Sequence, residues 1–194
     1  MEIKKFAFLA SISAIISAIF FFVYSLIQLI VYGISTGAVS DISFLSSNFQ
    51  SIVIILLIIG LIASTIVYFG FIILSREKGH KFPKISSYAI IFVNLLFFLI
   101  TILFYSSQEI FNILNLNLNI IGAMLGIVNV WFGCSLILWK NKNNYYLSKS
   151  LGVFYLLQGI ILISTLVVPL RLAEFTIAIR ILESFFFSAY KKRN

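Results

Sequence analysis

The chain has 194 residues, of which 61% are hydrophobic and 10% charged, against about 25% charged in soluble domains. A water-soluble fold of this size could not cover so much apolar surface, whereas a bilayer is itself an apolar solvent. The net charge of +8 would suit nucleic acid, but the Lys and Arg residues gather at the ends of apolar segments and form no separate basic face, so lipid is the expected partner and nucleic acid is not.

Taken in chain order, the apolar runs predict six helices. The first is Phe6–Tyr32, preceded by Lys4 and Lys5. It is far longer than the 7–15-residue apolar stretch of a signal peptide and has no clear cleavage site, so it reads as an uncleaved span. The next are Ile52–Leu74, Ile85–Tyr105, Ile120–Trp139 and Leu147–Val168. Between the third and fourth, Phe111–Asn119 reads FNILNLNLN and is expected to be an interfacial segment that caps the following helix. Pro169 is expected to stop the fifth helix, with a tight turn at Val168–Ala173 before a sixth over Leu172–Tyr190.

Charge placement decides the topology. Two basic residues precede the first helix. Arg76, Lys78, Lys81 and Lys84 lie between the second and third, and Lys140, Lys142 and Lys149 between the fourth and fifth. Lys191, Lys192 and Arg193 end the chain. Twelve of the 14 basic residues therefore fall on one side, and the intervening connections 33–50 and 106–119 contain none. By the positive-inside rule that side is cytoplasmic. The expectation is an all-α, polytopic membrane protein: one domain over residues 1–194, six transmembrane helices in three hairpins, both termini cytoplasmic. The richness in Ile, Phe, Asn and Lys suggests an AT-rich genome and a prokaryotic plasma membrane. Tyr32 and Tyr105 mark outer helix ends, and Tyr88, Trp139, Tyr145, Tyr146 and Tyr190 inner ones. Trp131, deeper in the span, is expected to turn its indole N–H to a partner inside the bundle.

Lipid gives helices no hydrophobic reason to associate, so small residues mark the packing faces. They are Ala10, Ala14 and Ala18 with Ser13 and Ser17 in the first helix, and Gly152, Tyr155 and Gly159 with Gln158 in the fifth. In the fourth, Gly122, Gly126, Asn129 and Gly133 share a face that reads as a packing groove, or as a polar permeation groove with Asn129 as its step. Gln28 and Asn94 are further single amides of the same kind. The second and fourth helices share a faint pattern, Ile-Ile-Gly followed by an aromatic-Phe-Gly, with glycines at 60 and 70 and at 122 and 133. Common ancestry of hairpins and chance similarity explain it equally.

Candidate chemistry is sparse. Cys134 is the only cysteine, which rules out an intrachain disulfide or a CxxC pair, and it reads as a small buried hydrophobe. His80 is the only histidine and falls in a charged connection, so it reads as solvated, and no metal, haem or triad set can be assembled around it. No catalytic, metal-binding or cofactor-binding residues are assigned. The last helix carries the costly feature. Arg171 and Glu174 lie near one end, while Arg180 and Glu183, three residues apart, lie well inside the span. Its Ile, Leu and Phe residues contribute about −0.3 to −0.6 kcal/mol each on an insertion scale. Arg180 alone costs about +2.5 to +3.5 kcal/mol there, and Glu183 a comparable amount. The terms nearly cancel, so this helix should depend on its neighbours. Thr176, Arg180, Glu183 and Ser184 form a polar stripe expected to face the bundle interior.

Two functional readings follow. The first is a non-catalytic accessory, scaffold or interaction subunit, self-associating or part of a larger membrane complex. The second is a small transporter or channel using the Arg180/Glu183 pair. A lipid-modifying enzyme ranks third, because Asp41 and Glu109 lie in connections away from that pair.

Overall fold

The computed structural model describes residues 3–35, 47–106, 111–139, 145–164 and 169–193. They form six α-helices and, among the described residues, no strand: α1 Ile3–Ser35, α2 Ser47–Glu77, α3 Lys81–Ser106, α4 Phe111–Leu138, α5 Tyr145–Ser164 and α6 Pro169–Arg193. Among the described residues, four stretches are long and apolar enough to cross a membrane: Ile3–Ile27, Ile54–Glu77, Lys81–Ile100 and Tyr145–Ser164. Gly122–Leu138 is a shorter apolar stretch of α4. The side chains of Gln28, Tyr32, Tyr105, Arg171 and Glu174 lie outside the described set, as do Asp41, Glu109, Lys140 and Lys142 altogether.

The helices run longer than the apolar segments that predict them. The largest departure is Phe111–Asn119, which is the first part of α4 and not a separate interfacial segment. Leu and Ile alternate with its four asparagines, and an Asn costs at most about 0.7 kcal/mol of helix propensity relative to Ala, too little to break a run already rich in Leu. Pro169 likewise begins α6 and makes no turn with Ala173. A proline in the first turn lacks only an N–H that has no intrahelical partner anyway. Pro83 occupies the first turn of α3 for the same reason.

The α2–α3 connection is the sharpest described. Gly79 has φ +69°, a conformation in which L-residues with a Cβ are strained. The Gly79 N–H donates to the Arg76 carbonyl (3.2 Å), and the His80 N–H to that of Ser75 (2.9 Å). This is the pair of bonds of a Schellman cap, which satisfies the last carbonyls of α2.

Each helix packs on its chain neighbour, and α6 closes on α1, so the six form a ring. Close pairs show that neighbours run antiparallel. On α1 and α2, Ser17 Oγ meets Ser64 Oγ at 3.0 Å, and a Cβ at Gly70 would reach that of Ala10. On α1 and α6, Ser11 meets Ser184 and Ser188, while Phe21 approaches Arg180. This up-and-down order places the start of α1, the α2–α3 turn, the end of α4, the start of α5 and the end of α6 at one end. There Lys78 Nζ lies 5.9 Å from the Tyr190 ring centroid, and His80 meets Trp139 edge-on. Lys4 and Lys5 in the first turn of α1 and the basic residues around the α2–α3 turn therefore share an end with Lys149.

The interior is aromatic: Phe71, Phe132, Phe186, Phe187, Trp139 and Tyr155 are all buried. Phe71 packs on Phe132 edge-on at 5.2 Å and on Phe187 at 4.8 Å. Outward face Phe8, Ile15, Ile19, Ile55, Ile62, Phe92, Leu99, Ile127, Leu138, Ile160 and Phe185, an apolar exterior suited to lipid. Between helices the adhesive is hydroxyl. Besides the α1 contacts, Ser86 meets Ser135 at 3.0 Å, Ser148 donates to the Leu136 carbonyl at 2.8 Å, and Gln158 Nε2 donates to Thr176 Oγ1 at 2.7 Å.

The closest backbone approach joins α4 and α5. A Cβ on Gly133 would lie 2.6 Å from the Gly152 carbonyl oxygen, and one on Gly159 would lie 2.5 Å from that of Gly126. The two glycines on each helix are seven residues apart, two turns, so the pairs stack along one seam. Gly122 does not belong to it: a Cβ there would meet nothing within 4 Å.

Four side chains differ from expectation, among them Tyr190, which is 3% exposed and not part of an exposed belt. Trp131 faces outward, 41% exposed, and Cys134 is exposed as well. Trp139 is buried instead of sitting in an interfacial belt, whereas Tyr88, Tyr145 and Tyr146 are exposed.

Candidate functional site: a buried ionic cluster on α6

Arg180 and Glu183 lie one turn apart on the inward face of α6. Arg180 Nη1 donates to Glu183 Oε2 at 2.8 Å. Glu183 is fully buried and Arg180 is 4% exposed, so solvent screens little of their attraction. Two tyrosines from other helices complete the cluster. The Tyr155 hydroxyl of α5 donates to Glu183 Oε1. The Tyr68 hydroxyl of α2 accepts from Arg180 Nη2 at 3.2 Å. The two hydroxyls are 3.3 Å apart. Because the single proton of Tyr155 is directed to the carboxylate, Tyr68 can turn its own proton to the Tyr155 oxygen.

The surroundings are aromatic. The guanidinium carbon lies 5.0 Å from the Tyr68 ring centroid and 5.9 Å from that of Phe21 on α1, within cation–π range. The Tyr155 ring meets Phe132 of α4 edge-on at 4.8 Å. Both carboxylate oxygens and both terminal guanidinium nitrogens thus have partners within the protein. Arg180 Nε is buried without one among the described residues.

Thr176, on the same stripe, is engaged by Gln158 of α5 one turn from Arg180. Ser184 faces α1, where Ser11 Oγ lies 3.1 Å from its carbonyl oxygen and 3.0 Å from its hydroxyl. The α4 face lies elsewhere: Gly126 and Gly133 are filled by α5, Asn129 is buried, and Gly122 is open. Tyr68 and Tyr155 were missed as site residues. Their signal was depth, since both are tyrosines far from the interfacial ends of their helices and need a partner there.

A cavity of about 90 Å³ borders the cluster on the α1, α2 and α3 side. Its walls include Phe20, Phe21, Gly60, Phe97 and Phe98, and its polar lining is Ser64, Asn94 and Arg180. Among the described residues, no three His, Cys, Asp or Glu side chains gather as a metal site would require.

Fold and site together define an all-helical protein with apolar helices suited to a membrane and a self-neutralised ionic cluster at its centre. No protein-family model, curated protein or solved structure matches the chain.

Proposed function

We propose that the chain is an integral membrane protein of the cell membrane that crosses it six times with both termini cytoplasmic. On this reading it serves as a non-catalytic accessory or scaffold subunit. The segregation of basic residues to one end of the helical ring supports the topology. The functional reading is carried by one observation: each terminal polar atom of the buried Arg180/Glu183 pair is bound by another protein group. A pair so engaged fixes how α6 docks on α2 and α5 and leaves no carboxylate oxygen for a passing ion. Its role is then structural, and the apolar exterior is the surface available to lipid and to other membrane chains.

Mild extraction from native membranes, followed by mass measurement, tests this. The expected particle exceeds the 22.0 kDa of one chain, either as copies of itself or with a second membrane protein. A lone monomer overturns the scaffold reading. A transporter or channel is the second reading, favoured by the cavity that Arg180 borders. It predicts that reconstituted vesicles dissipate an ion or proton gradient, and that Glu183→Gln abolishes the leak without loss of folded protein.

A further inference from the structure

We propose that the basic end of α1, α2 and α3 is a docking surface for an anionic phospholipid of the cytoplasmic leaflet, its headgroup on the first turn of α3 and its acyl chain along the outer face of that helix. The proposal rests on the reading that α3 spans the membrane. Charge selects the partner. The three helices are consecutive in the ring. The start of α1, the end of α2 and the start of α3 bring Lys4, Lys5, Arg76, Lys78, Lys81 and Lys84 into one arc. Among the described residues that arc holds a single acid, Glu77. Six positive charges against one negative favour an anionic headgroup over a zwitterionic one, which brings no net charge.

Depth selects lipid over a soluble acidic protein. Only Lys78, Gly79 and His80 separate α2 from α3, and the capping bonds to Arg76 and Ser75 hold that turn against the end of α2. The charges around it therefore stay at the level where the apolar spans end, which is the headgroup layer.

The outer face of α3 supplies the shape. At 100° per residue, Ile85, Tyr88 and Phe92 each fall within about 40° of Lys81, and all four side chains are exposed. Lys84 flanks this stripe, half-buried one turn in. From Lys81 to Phe92 the axis advances about 16 Å at 1.5 Å per residue, close to the half-thickness of about 15 Å of a bilayer core. Cations thus head an apolar stripe one leaflet long, in the order of a phosphate followed by an acyl chain. Lys78 lies over the Tyr190 ring of α6, which leaves the phosphate to Lys81 and Lys84.

The experiment uses the full chain with Cys134→Ser, which removes its only cysteine, and Ile85→Cys, which carries a fluorophore on the stripe. In nanodiscs, quenching by phosphatidylglycerol or phosphatidylcholine with a nitroxide in the acyl chain reads the relative affinity of the two lipids at that point. Each lysine is worth about fivefold near an anionic lipid, so phosphatidylglycerol should be preferred about 25-fold, and Lys81→Gln/Lys84→Gln should bring the two lipids close to parity. Salt at about 1 M, where charges are screened beyond about 3 Å, should shrink the preference severalfold and provides the test if that variant fails to fold. Equal quenching by the two lipids, or a preference that survives both the variant and the salt, overturns the assignment. A preference abolished by soluble polyglutamate overturns it in favour of an acidic soluble partner. A chain that does not enter nanodiscs refutes the spanning reading as well, whereas one that enters and shows no preference refutes the lipid site alone.

Discussion

Replacing Glu183 by Gln should be among the most damaging single changes in the protein, and replacing the whole pair should be far milder. The carboxylate is fully buried and its partner nearly so. In Glu183→Gln, Arg180 keeps its charge but loses its counter-charge, and an amide that turns its oxygen to Nη1 turns its N–H₂ to the Tyr155 hydroxyl, which can then no longer donate there. Breaking one side of a buried ion pair costs about 3–5 kcal/mol. In Arg180→Met/Glu183→Leu both charges leave together. The hydroxyls of Tyr68 and Tyr155, already 3.3 Å apart, can then bond each other, and apolar side chains of similar volume occupy the site. Such replacements range from neutral to stabilising, so the double variant should fall within about 1–2 kcal/mol of wild type. With Arg180→Met and Glu183→Leu as the single corners, each costing about 3–5 kcal/mol, the coupling energy of the cycle is at least about 4 kcal/mol. Equilibrium unfolding in bicelles, by denaturing detergent or steric trapping, measures all four corners. A Glu183→Gln variant within 1 kcal/mol of wild type, or a double variant as unstable as the single one, would refute the reasoning.

Two further changes probe the frame around the cluster. Gly133→Ala places a Cβ 2.6 Å from the Gly152 carbonyl oxygen. It should force α4 and α5 apart at about 1–3 kcal/mol, whereas Gly122→Ala, with nothing within 4 Å, should leave the melting temperature unchanged or slightly raised. Gly79→Ala meets no neighbour either, so its whole cost is the left-handed backbone, about 1–2 kcal/mol, read as a lower melting midpoint with the helical signal intact.

The existence of the helices was legible because each carries an apolar run too long for a soluble element. The charges between those runs were legible as a single side, and the closed antiparallel ring brings the described ones to one end. What sequence did not supply was register. Serine pairs such as Ser17–Ser64 and Ser86–Ser135 join residues 47 and 49 positions apart, and nothing local says which serines will meet. The same holds for the glycine seam. Gly126 and Gly133 stood out on one helix and Gly152 and Gly159 on another, but their pairing is a property of the α4–α5 interface.

The Trp131 expectation failed for a reason that was already present. Gly126, Asn129 and Gly133 fix the inward face of α4. At 100° per residue, Trp131 falls about 160° from both Asn129 and Gly133, on the opposite side. The indole N–H favours an inward partner and the helical phase an outward side chain, and the phase prevails. Cys134, one step beyond Gly133, is turned out of the seam in the same way.

The last helix shows how local cost and tertiary structure divide the work. Among the described residues α6 supplies none of the stretches long and apolar enough to cross a membrane alone, and Arg180 and Glu183 offset its apolar residues on an insertion scale. In the assembled ring their charge is met by Tyr68 from α2 and Tyr155 from α5, and their helix by α1 on one flank and α5 on the other. In the six-span reading, then, the membrane residence of α6 belongs to the bundle and not to the segment. A glycosylation acceptor at the C-terminus measures this directly. Behind α1–α5 it should remain unmodified, on the cytoplasmic side. With the α6 segment moved into a host protein that lacks those helices, insertion should drop to a minor fraction, since the summed terms are near zero or unfavourable. Arg180→Leu/Glu183→Leu in the same host should restore it. Full insertion of the unaltered segment in the foreign host would mean that its charges cost less than the scale assigns, and that α6 does not need Tyr68 and Tyr155 to stay in the membrane.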